Sequence, residues 1–145
     1  MIVTAAKEVT FDAAHRLSFH KGKCYNLHGH TYKLKLTLVD DSFDSEDNMV
    51  RDFYEIKQAL SKIVEEYDHT TMLYGGELKN EKLIDTLLSL GMRVIVFPFE
   101  PTVENMAKHF AKTFKDMGLP VLKVTMYETP TSYAEVIVNE EVSDN

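Results

Sequence analysis

Nine residues, HTYKLKLTL at positions 30–38, alternate apolar and polar side chains. Tyr32, Leu34, Leu36 and Leu38 fall on one side of an extended chain, and Lys33, Lys35 and Thr37 on the other. Such a segment is a half-buried strand of an antiparallel sheet, apolar on one face and wet on the other. The rest of the fold must cover that apolar face. Two segments have the right period. Phe53, Ile56, Leu60, Ile63 and Tyr67 recur at helical spacing behind Asp52, which predicts an N-cap with Glu55 completing a capping box. Val103, Met106, Phe110, Phe114 and Met117 form a second stripe, opened by Thr102 and closed by Gly118 and Pro120.

Residues 1–12 read as a strand, and 121–128 with 133–138 as a hairpin around TPTS. A shorter helix is expected over 80–90 and a short strand over 92–97, while the acidic stretch DDSFDSEDN reads as a loop. Strands at both ends with helices between them predict an α+β domain: a four-stranded antiparallel sheet with two long helices packed on one face. One domain is expected over 1–140, with a polar C-terminal tail at 141–145. An open sheet of this kind leaves two edges that need covering, so self-assembly is expected.

The net charge of −7 argues against nonspecific binding to nucleic acid or to an anionic membrane. The single cysteine excludes an internal disulfide. No apolar run approaches bilayer length and the N-terminus lacks a signal-peptide pattern, so a cytoplasmic setting is expected.

The chemistry concentrates in CYNLHGH, residues 24–30. His28 and His30 flank Gly29, and in extended chain both imidazoles project to one side. His15, in FDAAHRL, ends the preceding strand, and a hairpin would bring it alongside. Three histidines with one open position form the donor set of a catalytic zinc. Cys24 has three readings: a fourth ligand that closes the site, a small buried hydrophobe, or a base or nucleophile in the loop that also holds Lys21 and Lys23. Asp68 and His69 are adjacent in YDHTTM, beyond the first long helix. They read either as a polar loop or as a carboxylate-oriented acid–base imidazole. Glu128 ends an apolar strand, where a carboxylate is either a solvated end or an anchor for a planar heterocycle.

FDAAHRL, CYNLHGHTY, MVRDF, YDHTTML, PTVENMA and YET, in this order across residues 11–128, resemble the 6-pyruvoyltetrahydropterin synthase / 6-carboxytetrahydropterin synthase family. The resemblance implies a tunnelling fold (T-fold), whose subunits join their sheets in rings, as a homohexamer (dimer of trimers) with sites at subunit boundaries. It places the zinc ligands on His15, His28 and His30, and the catalytic proton acceptor on Cys24. It puts the acid–base pair on Asp68 and His69, and the pterin contacts on Glu128 and Thr102. Arg16, Lys21 and Lys23 are the candidate cations for a triphosphate.

The spacing Cys-x-x-x-His-x-His, with Leu27 before His28, looks like the bacterial carboxy type that serves 7-deazaguanine (queuosine) synthesis. The implied reaction converts 7,8-dihydroneopterin triphosphate to 6-carboxy-5,6,7,8-tetrahydropterin, releasing acetaldehyde and triphosphate. Pyruvoyl formation or another pterin side-chain cleavage on the same fold is the alternative, and a non-catalytic zinc or pterin-binding module the second. Asn48, Tyr67, Tyr74 and the long segment 75–100 depart from the family's usual pattern.

Overall fold

A computed structural model describes residues 1–40 and 48–139. Most of the acidic stretch expected as a loop, and the tail at 141–145, lie outside the described residues. The elements in chain order are β1 (Val3–His15), β2 (His28–Asp40), α1 (Phe53–Tyr67), β3 (Thr70–Tyr74), α2 (Leu78–Ser89), β4 (Val94–Phe97), α3 (Val103–Asp116), β5 (Val121–Thr129) and β6 (Ser132–Ile137). A single 3-10 turn, Lys23–Tyr25, interrupts the connection from β1 to β2.

The sheet has six strands in the order β4-β3-β1-β2-β5-β6. The expected antiparallel set is present as β1-β2-β5-β6. The expectation of a four-stranded sheet is corrected by two more strands: β3 runs parallel to β1, and β4, where a short strand was expected over 92–97, runs parallel to β3. The physical reason is the open edge of β1. Its backbone groups need partners, and the chain leaving α1 supplies them, Thr70, Thr71 and Met72 lying opposite Ala13, Ala14 and His15. Parallel pairing needs no local turn, so nothing in the sequence near 70–74 announces it.

The alternation at 30–38 is realised residue by residue. Tyr32, Leu34, Leu36 and Leu38 are fully buried. They meet Ile56, Leu60 and Ile63 of α1 and Met106, Phe110 and Phe114 of α3 in one core. Both long helices begin as expected: Asp52 accepts from the Tyr54 N–H at 2.9 Å, and Thr102 from the Asn105 N–H at 3.2 Å. Glu55 does not close a box with Asp52; its carboxylate lies 3.7 Å from Arg51. Gly91 and Gly118 follow α2 and α3 at positive φ, the left-handed exit that glycine takes without strain.

Candidate functional site

β1 and β2 pair so that His15 lies opposite His28 and Ala13 opposite His30. Gly29 makes this close approach feasible, since a Cβ there would sit 3.1 Å from the Ala13 carbonyl oxygen. The three imidazoles gather at the end of the core face, with ring centroids 4.6, 5.1 and 4.9 Å apart.

Hydrogen bonds set their tautomers. A carbonyl can only accept, so His15 Nδ1 donates to Pro101 O at 2.8 Å, and His28 Nδ1 donates to Asn26 O at 2.7 Å. Each neutral ring then turns a bare Nε2 lone pair inward, and these two nitrogens stand 3.1 Å apart. Facing lone pairs repel unless a cation or proton lies between them. His30 Nε2 is buried with no hydrogen-bond partner. One ligand atom from each ring falls within 4.8 Å of the others. Three ring nitrogens this close, two of them with inward lone pairs, form a donor set that could hold a divalent metal ion.

Burial holds His15, which has no exposed surface, in its neutral form by lowering its pKa to about 4. Burial also lowers His30, against the opposing pull of Glu128. Uncharged imidazoles are what a metal requires. Cys24 is not among the side chains that converge here, so the group is open rather than closed by a thiolate.

Glu128 reaches the same face through the alternation of β5. Val124 and Met126 point into the core, and Glu128 continues that side, where the register to β6 shifts. Its Oε1 lies 3.5 Å from His30 Nε2. Thr102 stands beside Pro101, whose carbonyl holds His15, so the start of α3 abuts the histidines.

Cys24 sits half-buried in the 3-10 turn, its carbonyl accepting from the Leu17 N–H at 2.9 Å. Lys21 and Lys23 are exposed in the same loop. Arg16 is placed differently. It is 7% exposed, donates to Asn80 Oδ1 at 2.6 Å, lies 3.5 Å from Glu77 Oε2 and stacks 4.2 Å from the Tyr25 ring. Lys79 donates to the Tyr25 hydroxyl at 2.9 Å. These contacts tie the Cys24 turn to the start of α2. The Arg16 guanidinium thus has partners within the protein, while Lys21 and Lys23 stand exposed.

Asp68 and His69 occupy the turn from α1 into β3. His69 Nδ1 donates to Asp68 Oδ2 at 2.9 Å, the pairing that orients an acid–base imidazole. Asp68 Oδ1 accepts from the Asp12 N–H at 2.8 Å, and the His69 N–H donates to Asp12 O at 2.6 Å. The bond from the Asp12 N–H, and after it the one from the His69 ring, hold the Asp68 carboxyl below its ordinary pKa. His69 is a non-glycine residue at φ +59° with a side chain 76% exposed. It lines, with His30, Asp12, Gly29 and Thr31, an open pocket of about 500 Å³.

Sequence reasoning missed the residues that aim these groups. Asn26 stood two positions from His28 and was legible in principle as a local carbonyl. Pro101 and Asp12 reach their partners across 86 and 56 residues, with no local signal.

Residues 4–139 match the family described as 6-pyruvoyl tetrahydropterin synthase. A Haemophilus influenzae protein named 6-carboxy-5,6,7,8-tetrahydropterin synthase is 38% identical over 135 residues, covering 90% of this chain and 95% of that protein. An Aquifex aeolicus protein of the same name is 36% identical over 154 residues, covering 90% and 94%. The fold is shared with protein WS1659 of Wolinella succinogenes (TM-score 0.84, 22% identity, 96% and 99% coverage). It is shared also with Caenorhabditis elegans 6-pyruvoyl tetrahydropterin synthase (TM-score 0.69, 25% identity, 96% and 97% coverage). With the histidine triad, the motif order and this match along nearly the whole length, the chain belongs to the 6-pyruvoyl tetrahydropterin synthase family.

Proposed function

We propose that the protein is a zinc-dependent lyase that converts 7,8-dihydroneopterin triphosphate and one water to 6-carboxy-5,6,7,8-tetrahydropterin, acetaldehyde and triphosphate, in the cytoplasmic synthesis of 7-deazaguanines such as queuosine. The observation that carries the reading is the convergence of one ring nitrogen from each of His15, His28 and His30 with Glu128 beside them, in a chain similar along 90% of its length to proteins named for that product.

His15, His28 and His30 hold the metal, which when bound supplies Lewis-acid polarisation of the substrate's side-chain hydroxyls. Glu128 anchors the pterin ring through charge-assisted hydrogen bonds from adjacent N–H groups. Thr102 borders the ring. Cys24 accepts a proton from the side chain, and His69 carries another, its imidazole held by Asp68. Lys21 and Lys23 meet the triphosphate. No nicotinamide or flavin enters, because the dihydropterin redistributes its own electrons.

His69 stands on an exposed flank, which suits a site completed across a subunit boundary. The assembly proposed is a homohexamer built as a dimer of trimers, joined through the edges left by β4 and β6. Family members named for the pyruvoyl product share the fold, so pyruvoyl formation is the competing reading.

A mass-spectrometric product assay on the zinc-loaded protein tests this. Carboxylated tetrahydropterin with acetaldehyde establishes the reaction. A pyruvoyl or hydroxymethyl product replaces it with another side-chain reaction on the same site. Unchanged substrate with metal bound leaves a non-catalytic zinc and pterin-binding module.

A further inference from the structure

The C-terminus of α1 is electrostatically awkward. Glu65, Glu66 and Asp68 crowd the negative end of the helix dipole, and the last turn holds no basic residue. The Asp68 N–H closes the final intrahelical bond, to Val64 O at 2.9 Å. The carbonyls of Glu65, Glu66, Tyr67 and Asp68 are therefore left without helical partners. The Thr70 hydroxyl takes Tyr67 O at 2.6 Å. Arg93, just before β4, takes the other three: Nη2 donates to Glu65 O and Glu66 O, and Nη1 to Asp68 O, each at 2.9 Å. Its own carbonyl accepts from the Thr71 N–H at 3.1 Å. One residue from 25 positions downstream of Asp68 thus holds the Asp68–His69 turn, by its side chain on the helix side and by its main-chain carbonyl on the β3 side.

That turn needs holding. His69 lies in the left-handed region at φ +59°, which a residue with a side chain keeps only when its surroundings fix it. Asp12 fixes it from β1, its N–H donating to the Asp68 carboxylate and its carbonyl accepting from the His69 N–H. Arg93 fixes it from the helix end. A planar guanidinium with several fixed donors can span three carbonyls; an ammonium is a point charge that cannot.

We propose that Arg93 is a positioning residue for the Asp68–His69 pair, clamping the end of α1 so that the His69 imidazole keeps its Nδ1–H on Asp68 and its Nε2 free for proton transfer. This rests on the acid–base role given to the pair above.

The test compares wild type, R93A, R93K and H69A as zinc-loaded enzyme, by steady-state kinetics, metal content and histidine-selective 15N spectra. The expected result for R93A is a kcat lower by roughly 10- to 100-fold. KM and metal content should stay within twofold, and the His69 resonances should lose the signature of a single Nδ1–H tautomer. R93K recovers part of kcat and serves as the folded variant if R93A does not fold. An R93A or R93K enzyme with wild-type kcat and an unchanged His69 spectrum overturns the proposal. So does loss of kcat in step with loss of metal and of folded protein, with lysine no better than alanine. If H69A keeps wild-type turnover, the acid–base reading fails by itself. The His69 spectrum of the Arg93 variants then still decides whether Arg93 positions the pair.

Discussion

His15 shows how one residue's surroundings set its chemistry. In the unfolded chain it titrates near 6.5; in the core burial lowers it to about 4. A lowered histidine pKa means that the unfolded state binds more protons between those two values, so stability rises with pH across that window. The metal-free protein should lose roughly 3 kcal/mol as pH falls from about 6.5 to about 4, from this residue alone. Burial of His30 adds to the loss in the same direction. Urea denaturation of chelated protein at pH 7 and pH 4.5 measures it, and equal midpoints would contradict the neutral buried imidazole.

Cys24 gives the second prediction at this scale. It lies outside the converging histidines, so Cys24→Ala should abolish turnover while zinc content stays at the wild-type ratio. Parallel loss of zinc would make the thiol a ligand. Both outcomes are read from metal analysis alongside the product assay.

Among the elements, α1 and α3 are built alike and placed differently. Each opens on a side-chain cap, Asp52 or Thr102, and each buries an apolar stripe against the sheet. Losing either cap should cost about 1 kcal/mol. Only α3 abuts the histidines, through the Pro101 carbonyl on His15. Asp52→Ala should therefore lower the melting temperature and leave kcat/KM within twofold of wild type. Thr102→Ala should lower stability similarly and also reduce kcat/KM by roughly tenfold, a loss of about 1.4 kcal/mol in transition-state binding. Equal kinetic effects from the two variants would place Thr102 away from the chemistry.

For the whole molecule, the sheet ends at β4 on one side and β6 on the other. Both edges carry exposed apolar side chains, Val96 on β4 and Tyr133 and Ile137 on β6. An uncovered edge of this kind is a pairing template, and a charge placed on it opposes pairing. The double variant V96K/I137K should sediment as a smaller species than wild type. It should also lose turnover if the sites need neighbouring subunits. Sedimentation velocity reads the first, the product assay the second, and an unchanged assembly would move the subunit contacts elsewhere on the surface.

The sequence by itself determined the elements whose patterns repeat locally. The period of two at 30–38 and the helical stripes of α1 and α3 are short-range consequences of which side chains must leave water. The His28–Gly29–His30 spacing and the Asp68–His69 adjacency are local as well, so they were legible as candidates before any fold. Only the tertiary structure decided what pairs across distance. The parallel strands join the sheet, β3 on β1 and β4 on β3, through backbone groups that every residue carries. Pro101, Asp12 and Arg93 likewise act through main-chain bonds, or on main-chain carbonyls, far from their own positions in the chain. Arg16, named from the sequence as a candidate cation for the triphosphate, has Asn80, Glu77 and Tyr25 around it, which no local pattern announced. A charge in a sequence has a sign; whether it faces a ligand or a buried partner depends on which distant surface the fold brings against it.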